Sequence, residues 1–169
     1  MSSTTLIDQQ EWRDRRFRVQ LAPWLPSAPV TAATTQTFVM CKPDAVERGL
    51  VGEIVSRIEA KGLTLVAAEL RGVDRPLAEA HYAEHADKPF YGELVDFLTR
   101  SPVFAMVVEG PADNTFSLIR KIVGATKVDD AEPGTIRGDL ATITTENLVH
   151  ASDGHESAAR EIELWFPGR

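Results

Sequence analysis

The stretch NLVHASDG, residues 147–154, places a histidine between an apolar pair and a Ser-Asp that resembles a helix start. An imidazole there has two readings: a packed histidine near a helix end, or a nucleophile or proton carrier that does chemistry near neutral pH. Asp153 with Glu156 three positions on has the form of a capping box, with Ser152-Asp153 as the helix start. Capping accounts for Ser152, Asp153 and Glu156 and leaves Asn147 and His150 unexplained. The other histidines are His81, His85 and His155. His81 and His85 stand at i, i+4 on an expected helix, a spacing that can hold a metal. With no third ligand in the pattern, they read as helix-surface histidines. His155, in the first turn of the last helix, reads as solvent-facing.

Three cations come from distant segments. Lys42 ends an apolar run in MCKPDAVERG, Arg120 lies on an expected helix, and Arg137 lies in PGTIRGD between Gly134 and Gly138. Alone, each fits a solvated surface position. Together they suit a polyphosphate, and glycines flanking Arg137 would let backbone approach a ligand closely. Phe90 in DKPFYG, with Tyr91 beside it and Tyr82 earlier, is either core or a face against which a nucleobase stacks.

The charge balance limits the partners. The chain carries a net −7. Residues 1–36 hold four arginines against Asp8, Glu11 and Asp14, so they are +1 and the remainder is −8. An acidic body argues against broad nucleic-acid binding, which needs many cations on phosphates. It permits a small anionic ligand if a few cations converge. Cys41 is the single cysteine, which excludes an internal disulfide framework and fits a reducing, cytoplasmic setting. No run of about 18 apolar residues is present, so no membrane span is expected.

The elements that must position these groups begin near residue 37. Residues 1–36 contain the basic patch WRDRRFR and a Pro-, Ala- and Thr-rich stretch with prolines at 23, 26 and 29. Those prolines prevent a regular helix, and the segment reads as an arm or linker before a domain spanning 37–169. Arg15-Arg16 resembles a twin-arginine export signal, but Arg18 and the prolines spoil the apolar region that should follow. TFVMC (37–41), LTLVAAELRGV (63–73), VFAMVVEG (103–110) and ATITTE (141–146) have strand character. Helical periodicity marks 50–61, 76–86, 89–100, 114–124 and 153–166. Residues 125–139 form a long loop of the kind that is usually functional. The order is an α+β arrangement: a βαββαβ, ferredoxin-like antiparallel sheet with added helices.

In order along residues 37–166, VMCKPDAVERGLVGEI, HYAEHADKPFYGEL, SPVFAMVVEG, IRKIVGAT, PGTIRGD and NLVHASDGHESAAREIELWF resemble the nucleoside diphosphate kinase family. The resemblance implies a ping-pong transfer of a γ-phosphoryl group through a phosphohistidine. It makes His150 the nucleophile, Glu161 the carboxylate on its other ring nitrogen, and Ser152 the support of that carboxylate. Lys42, Arg120 and Arg137 correspond to phosphate-binding cations, with Lys42 also counted among the catalytic groups. Tyr82 and Thr126 correspond to polar contacts, and Asn147 to the contact with sugar and phosphates. Phe90 and Leu94 correspond to the base-binding wall. It further implies Mg²⁺ carried on the nucleotide phosphates, nucleoside di- and triphosphates as ligands, and a homo-oligomer, a hexamer ahead of a tetramer.

This chain departs from the family pattern in three places. Lys127-Val128 stand where Asn-Pro is usual, Ala151 stands where Gly is common, and the segment between Gly110 and Arg120 is about two residues longer. Two other functions compete with the kinase reading. One is a catalytically silent nucleotide-binding protein that acts through its arm. The other is nucleic-acid binding by WRDRRFR.

Overall fold

A computed structural model describes residues 17–19 and 33–169. Most of residues 1–36 of the arm reading, the twin-arginine pattern and most of WRDRRFR fall outside the described residues. The sheet has five strands: β1 (Phe17–Val19), β2 (Thr34–Cys41), β3 (Thr64–Arg71), β4 (Val103–Pro111) and β5 (Val149–Ala151). Their order is β1-β3-β4-β2-β5, with every neighbouring pair antiparallel. Without β1, the remaining four strands have the ferredoxin-like order expected from the sequence.

β2 lies between β4 and β5, and Phe38–Cys41 are wholly buried. Side chains alternate across a strand, so Val39 and Cys41 enter one core while Phe38 and Met40 enter the other. Helices α2 (Val51–Ala60) and α5 (Thr115–Val123) cover the first face through Ile54, Ile58, Ile119 and Val123. Helices α3 (Arg75–His81), α4 (Tyr91–Thr99) and α7 (His155–Trp165) cover the second through Ala78, Val95, Leu98 and Trp165. Burying each such large side chain stabilises the fold by about 1.5–3 kcal/mol, which fixes both faces of β2 and the groups at its end.

Short elements do the local positioning. β2 stops at Lys42, and Pro43 opens the five-residue α1 (Pro43–Glu47), where its fixed φ and missing N–H suit the first turn. α3 is capped by Asp74, whose carboxylate accepts the Leu77 N–H at 2.9 Å.

The structure corrects several expectations. Residues 141–146 form no strand; Ile143 is exposed, so the alternating Thr and Ile of ATITTE have no buried face to pay for pairing. Glu146 is instead held by Arg100, which also binds Glu47 of α1. The edge of β2 is taken by Val149–Ala151, with His150 opposite Met40. The β2 strand begins at Thr34 rather than at residue 37. The 125–139 loop contains a 3₁₀ turn at Val128–Asp130 and a short helix α6 (Ile136–Leu140), so Arg137 is helical. Gly138 is required by its own chain: a Cβ there would lie 2.1 Å from the Glu132 carbonyl oxygen.

Candidate active site

The helix start after His150 differs from the expected capping box. α7 begins after Gly154, and the Ser157 hydroxyl accepts the Gly154 and Asp153 N–H groups at 3.1 Å. That leaves Ser152 and Asp153 for other work. Asp153 pairs with Arg120 at 2.6 Å. The Ser152 hydroxyl donates to Glu161 Oε2 at 2.6 Å, and that same oxygen lies 3.0 Å from His150 Nε2. Glu161 sits two turns along α7 and is 3% exposed.

Burial would raise the Glu161 pKa. Its hydrogen bond and charge interaction with His150, the Ser152 hydroxyl and nearby Arg160 outweigh that effect and hold it below the ordinary carboxylate value. A carboxylate only accepts, so His150 meets Glu161 with an N–H on Nε2, and in the neutral ring the lone pair then lies on Nδ1. The His150 ring is half-buried and lines a cleft of about 640 Å³.

The backbone that delivers His150 is unusual. Leu148 has φ 70°, and the Val149 N–H donates to the Asn147 carbonyl at 2.8 Å, closing a γ-turn around Leu148. A left-handed leucine costs about 1–2 kcal/mol. The surroundings impose it: Leu148 is fully buried, its N–H donates to Asp44 Oδ2 at 3.0 Å, and its carbonyl accepts from Lys42 N at 2.9 Å. The three residues Lys42-Pro43-Asp44 therefore send one side chain to the cleft and one to brace the turn beside His150. Asp44 was missed by sequence reasoning; its only signal was the position after Pro43.

The cations converge. Lys42, Arg120 and Arg137 line the same cleft as His150. Lys42 is 7% exposed and its Nζ donates to Asn147 Oδ1 at 2.6 Å. Burial, and then the charge of Arg137, lower its pKa to about 8, against an opposing pull from Asp44. The amide of Asn147 donates in turn to the Thr126 carbonyl at 2.9 Å, joining both walls. Arg137 gives N–H groups to the carbonyls of Gly124, Asn147 and Val149 at 2.9, 3.2 and 2.6 Å. A guanidinium has five such donors, so two are not used by these contacts. Burial, and then Arg120, lower the Arg137 pKa to about 10, and it stays charged at pH 7.

Tyr82, Phe90, Leu94, Thr126 and Asn147 also line the cleft. Tyr82 is buried, which raises its phenol pKa and keeps it a donor. Phe90 is 46% exposed at the rim, unlike a core aromatic. Of the site residues that the resemblance implies, only Glu161 and Ser152 do not line the cleft; they stand buried behind His150. His81 is not a surface histidine. It is buried and packs against His150 with ring centroids 4.5 Å apart, away from any pairing with the half-exposed His85.

An imidazole with a fixed free nitrogen, facing clustered cations beneath an exposed aromatic rim, suits attack on a phosphoryl group. The comparisons agree. The family model described as nucleoside diphosphate kinase matches residues 35–169. The nucleoside diphosphate kinase of Mycolicibacterium smegmatis is 60% identical over 136 residues, covering 80% of this chain and 96% of the relative. That of Symbiobacterium thermophilum is 59% identical over 131 residues, covering 78% and 86%. A solved structure of the Halobacterium salinarum nucleoside diphosphate kinase in complex with CDP superposes with a TM-score of 0.75 at 49% identity, covering 79% of this chain and 88% of that one. A Babesia bovis family member gives a TM-score of 0.74 at 46% identity, covering 78% and 87%. The chain belongs to the nucleoside diphosphate kinase family.

Proposed function

We propose that this kinase works by a ping-pong route in which His150 Nδ1 carries the phosphoryl group. The lone pair of Nδ1 attacks the γ-phosphorus of a bound nucleoside triphosphate. An N–P bond forms, the bond to the β-phosphate bridging oxygen breaks, and the nucleoside diphosphate leaves with that electron pair. A second nucleoside diphosphate then attacks the phosphohistidine through its terminal phosphate oxygen and restores the free ring. The observation that carries this reading is the His150 Nε2 contact with Glu161, which leaves Nδ1 unprotonated on a ring that lines the cleft. Lys42, Arg137 and Arg120 neutralise charge on the transferred group, the main demand of phosphoryl transfer. Asn147 and Thr126 hold the sugar and phosphates, Tyr82 donates from the wall, and the base lies against Phe90 and Leu94. Stacking accepts any base, and the Halobacterium relative with CDP supports a nucleoside diphosphate as ligand.

Mg²⁺ enters as part of the substrate, on the nucleotide phosphates. The cleft carboxylates fit no independent metal, since Asp153 is paired with Arg120 and Glu84 with Arg160. The family resemblance supports a homo-oligomer, a hexamer ahead of a tetramer, and sedimentation of the full chain decides between them. Residues 1–36 are proposed as an arm on the 37–169 domain, joined to its sheet through β1 (Phe17–Val19) and the start of β2 at Thr34. A cytoplasmic setting is supported by Cys41 being the sole cysteine and buried; among the described residues no helix is long and apolar enough to cross a membrane. Nucleic acid is not a proposed partner of the acidic body.

Initial rates at several fixed diphosphate concentrations test the route. Parallel double-reciprocal lines are expected, and intersecting lines, which require a ternary complex, would overturn it.

A further inference from the structure

His81 closes α3 and is 2% exposed, yet it does not line the cleft. Its Nδ1 accepts the indole N–H of Trp165 at 3.2 Å. An indole nitrogen only donates, so Nδ1 keeps its lone pair and the proton of the neutral ring sits on Nε2. Burial above all, then repulsion from neighbouring groups including Arg160 and Lys42, lowers the His81 pKa well below the ordinary imidazole value. Nε2 is buried and has no hydrogen-bond partner among the described residues. A buried unpaired donor is uncommon and needs a reason.

The neighbour able to supply one is His150. The two imidazoles meet with centroids 4.5 Å apart and planes at 77°, edge to face. An N–H against an aromatic face is a weak but real contact. Phe38 lies 5.9 Å from His81 and 6.0 Å from His150 and stacks on Trp165 at 5.4 Å, completing the wall. One hydrogen bond to Glu161 fixes one atom of the His150 ring; a wall is needed to fix its plane. The trio of His81, His150 and Glu161 also brings its ligand atoms within 4.8 Å of one another. A metal on His81 Nε2 would force the proton onto Nδ1, against the Trp165 N–H, so the wall is not a metal centre.

We propose that His81 is a positioning residue for the phosphoryl carrier: held as the Nε2–H tautomer by Trp165, it rests edge-on against His150 and keeps that ring turned with Nε2 on Glu161 and Nδ1 toward the cleft. This rests on the reading of His150 as the carrier.

The test is rapid-quench, single-turnover phosphorylation by Mg·ATP, run on full-length wild type, His81→Phe, Trp165→Phe and the double variant. Nucleotide affinity and ¹⁵N spectra of the His150 ring are measured alongside. His81→Phe keeps an aromatic wall but neither accepts from Trp165 nor donates to His150. It is expected to slow phosphorylation at least tenfold, to change the nucleotide Kd less than twofold, and to give His150 mixed tautomers. Trp165→Phe frees the His81 tautomer and slows phosphorylation by a smaller factor. The double variant is no slower than His81→Phe, because both act through one contact. A wild-type rate and a single His150 tautomer in folded His81→Phe would overturn the proposal. Where His81→Phe does not fold, the same unchanged rate and tautomer in Trp165→Phe would overturn it. A wild type that binds nucleotide but takes no phosphate refutes the carrier reading of His150, and with it this proposal. A wild type that is labelled alongside unaffected variants refutes the His81 proposal alone.

Discussion

Lys42 makes a quantitative prediction about proton uptake. In the empty cleft its pKa is lowered from 10.5 to about 8 by burial and by Arg137, a bias of about 3 kcal/mol against the charged form. At pH 8.5 only about a quarter of the empty molecules carry the Lys42 proton. An anionic phosphate within about 4–6 Å raises such a pKa by about 1–3 units, so the nucleotide complex is about three-quarters to fully protonated there. Binding at pH 8.5 therefore takes up about 0.5–0.75 proton per site, and at pH 6.5 Lys42 contributes almost nothing. Arg137, at about 10, stays charged across this range and does not obscure the effect. Calorimetric titration with a non-hydrolysable triphosphate, in buffers of different ionisation enthalpy, measures the uptake directly. Lys42→Arg, permanently charged, should abolish it. Absence of uptake in the wild type at pH 8.5, or the same uptake in Lys42→Arg, would refute the reasoning. The sign for stability follows from the same shift. The unfolded chain holds this proton up to about 10.5 and the empty fold releases it near 8, so Lys42 lets stability rise with pH across that window. Comparing the pH dependence of urea midpoints for wild type and Lys42→Met isolates the contribution.

Glu161→Gln keeps the shape but can offer its amide N–H to His150, which favours the wrong tautomer. The phosphorylation rate should fall roughly 10²-fold or more, with nucleotide affinity little changed; equal rates would remove Glu161 from the mechanism. Phe90→Ala should weaken binding of every nucleotide by about 1–3 kcal/mol, the worth of one stacked base. The loss should be similar for purines and pyrimidines in a competition assay, and a loss confined to one base would argue for specific recognition instead.

Particular residues show what the sequence could convey. Phe38–Cys41 announced a strand by its run of apolar residues, and both of its faces are buried. The cleft residues could be found because Lys42-Pro43, PGTIRGD and NLVHASD, with the other stretches in order, resemble a known family; alone, each cation fits a solvated surface position. ATITTE misled because alternation signals a strand only where one face has a core to enter, and Ile143 has none. The true edge strand, Val149–Ala151, is three residues long and follows a left-handed leucine, which no periodicity can reveal. α6 was hidden for a similar reason: five residues are too few for helical periodicity to register. The i, i+4 spacing of His81 and His85 suggested a surface pair, whereas burial depends on Trp165, which is 84 positions from His81. Capping chemistry was assigned to Ser152 and Asp153 because both are good N-caps, but tertiary partners claimed them.

The phosphohistidine itself is the most direct test. The protein is incubated with γ-labelled ATP and Mg²⁺, then separated from nucleotide and digested. The mechanism predicts an acid-labile, alkali-stable label on the peptide containing His150, discharged by any added nucleoside diphosphate and absent from His150→Ala. A wild type that binds nucleotide but takes no label, or a label that persists in His150→Ala, would contradict it.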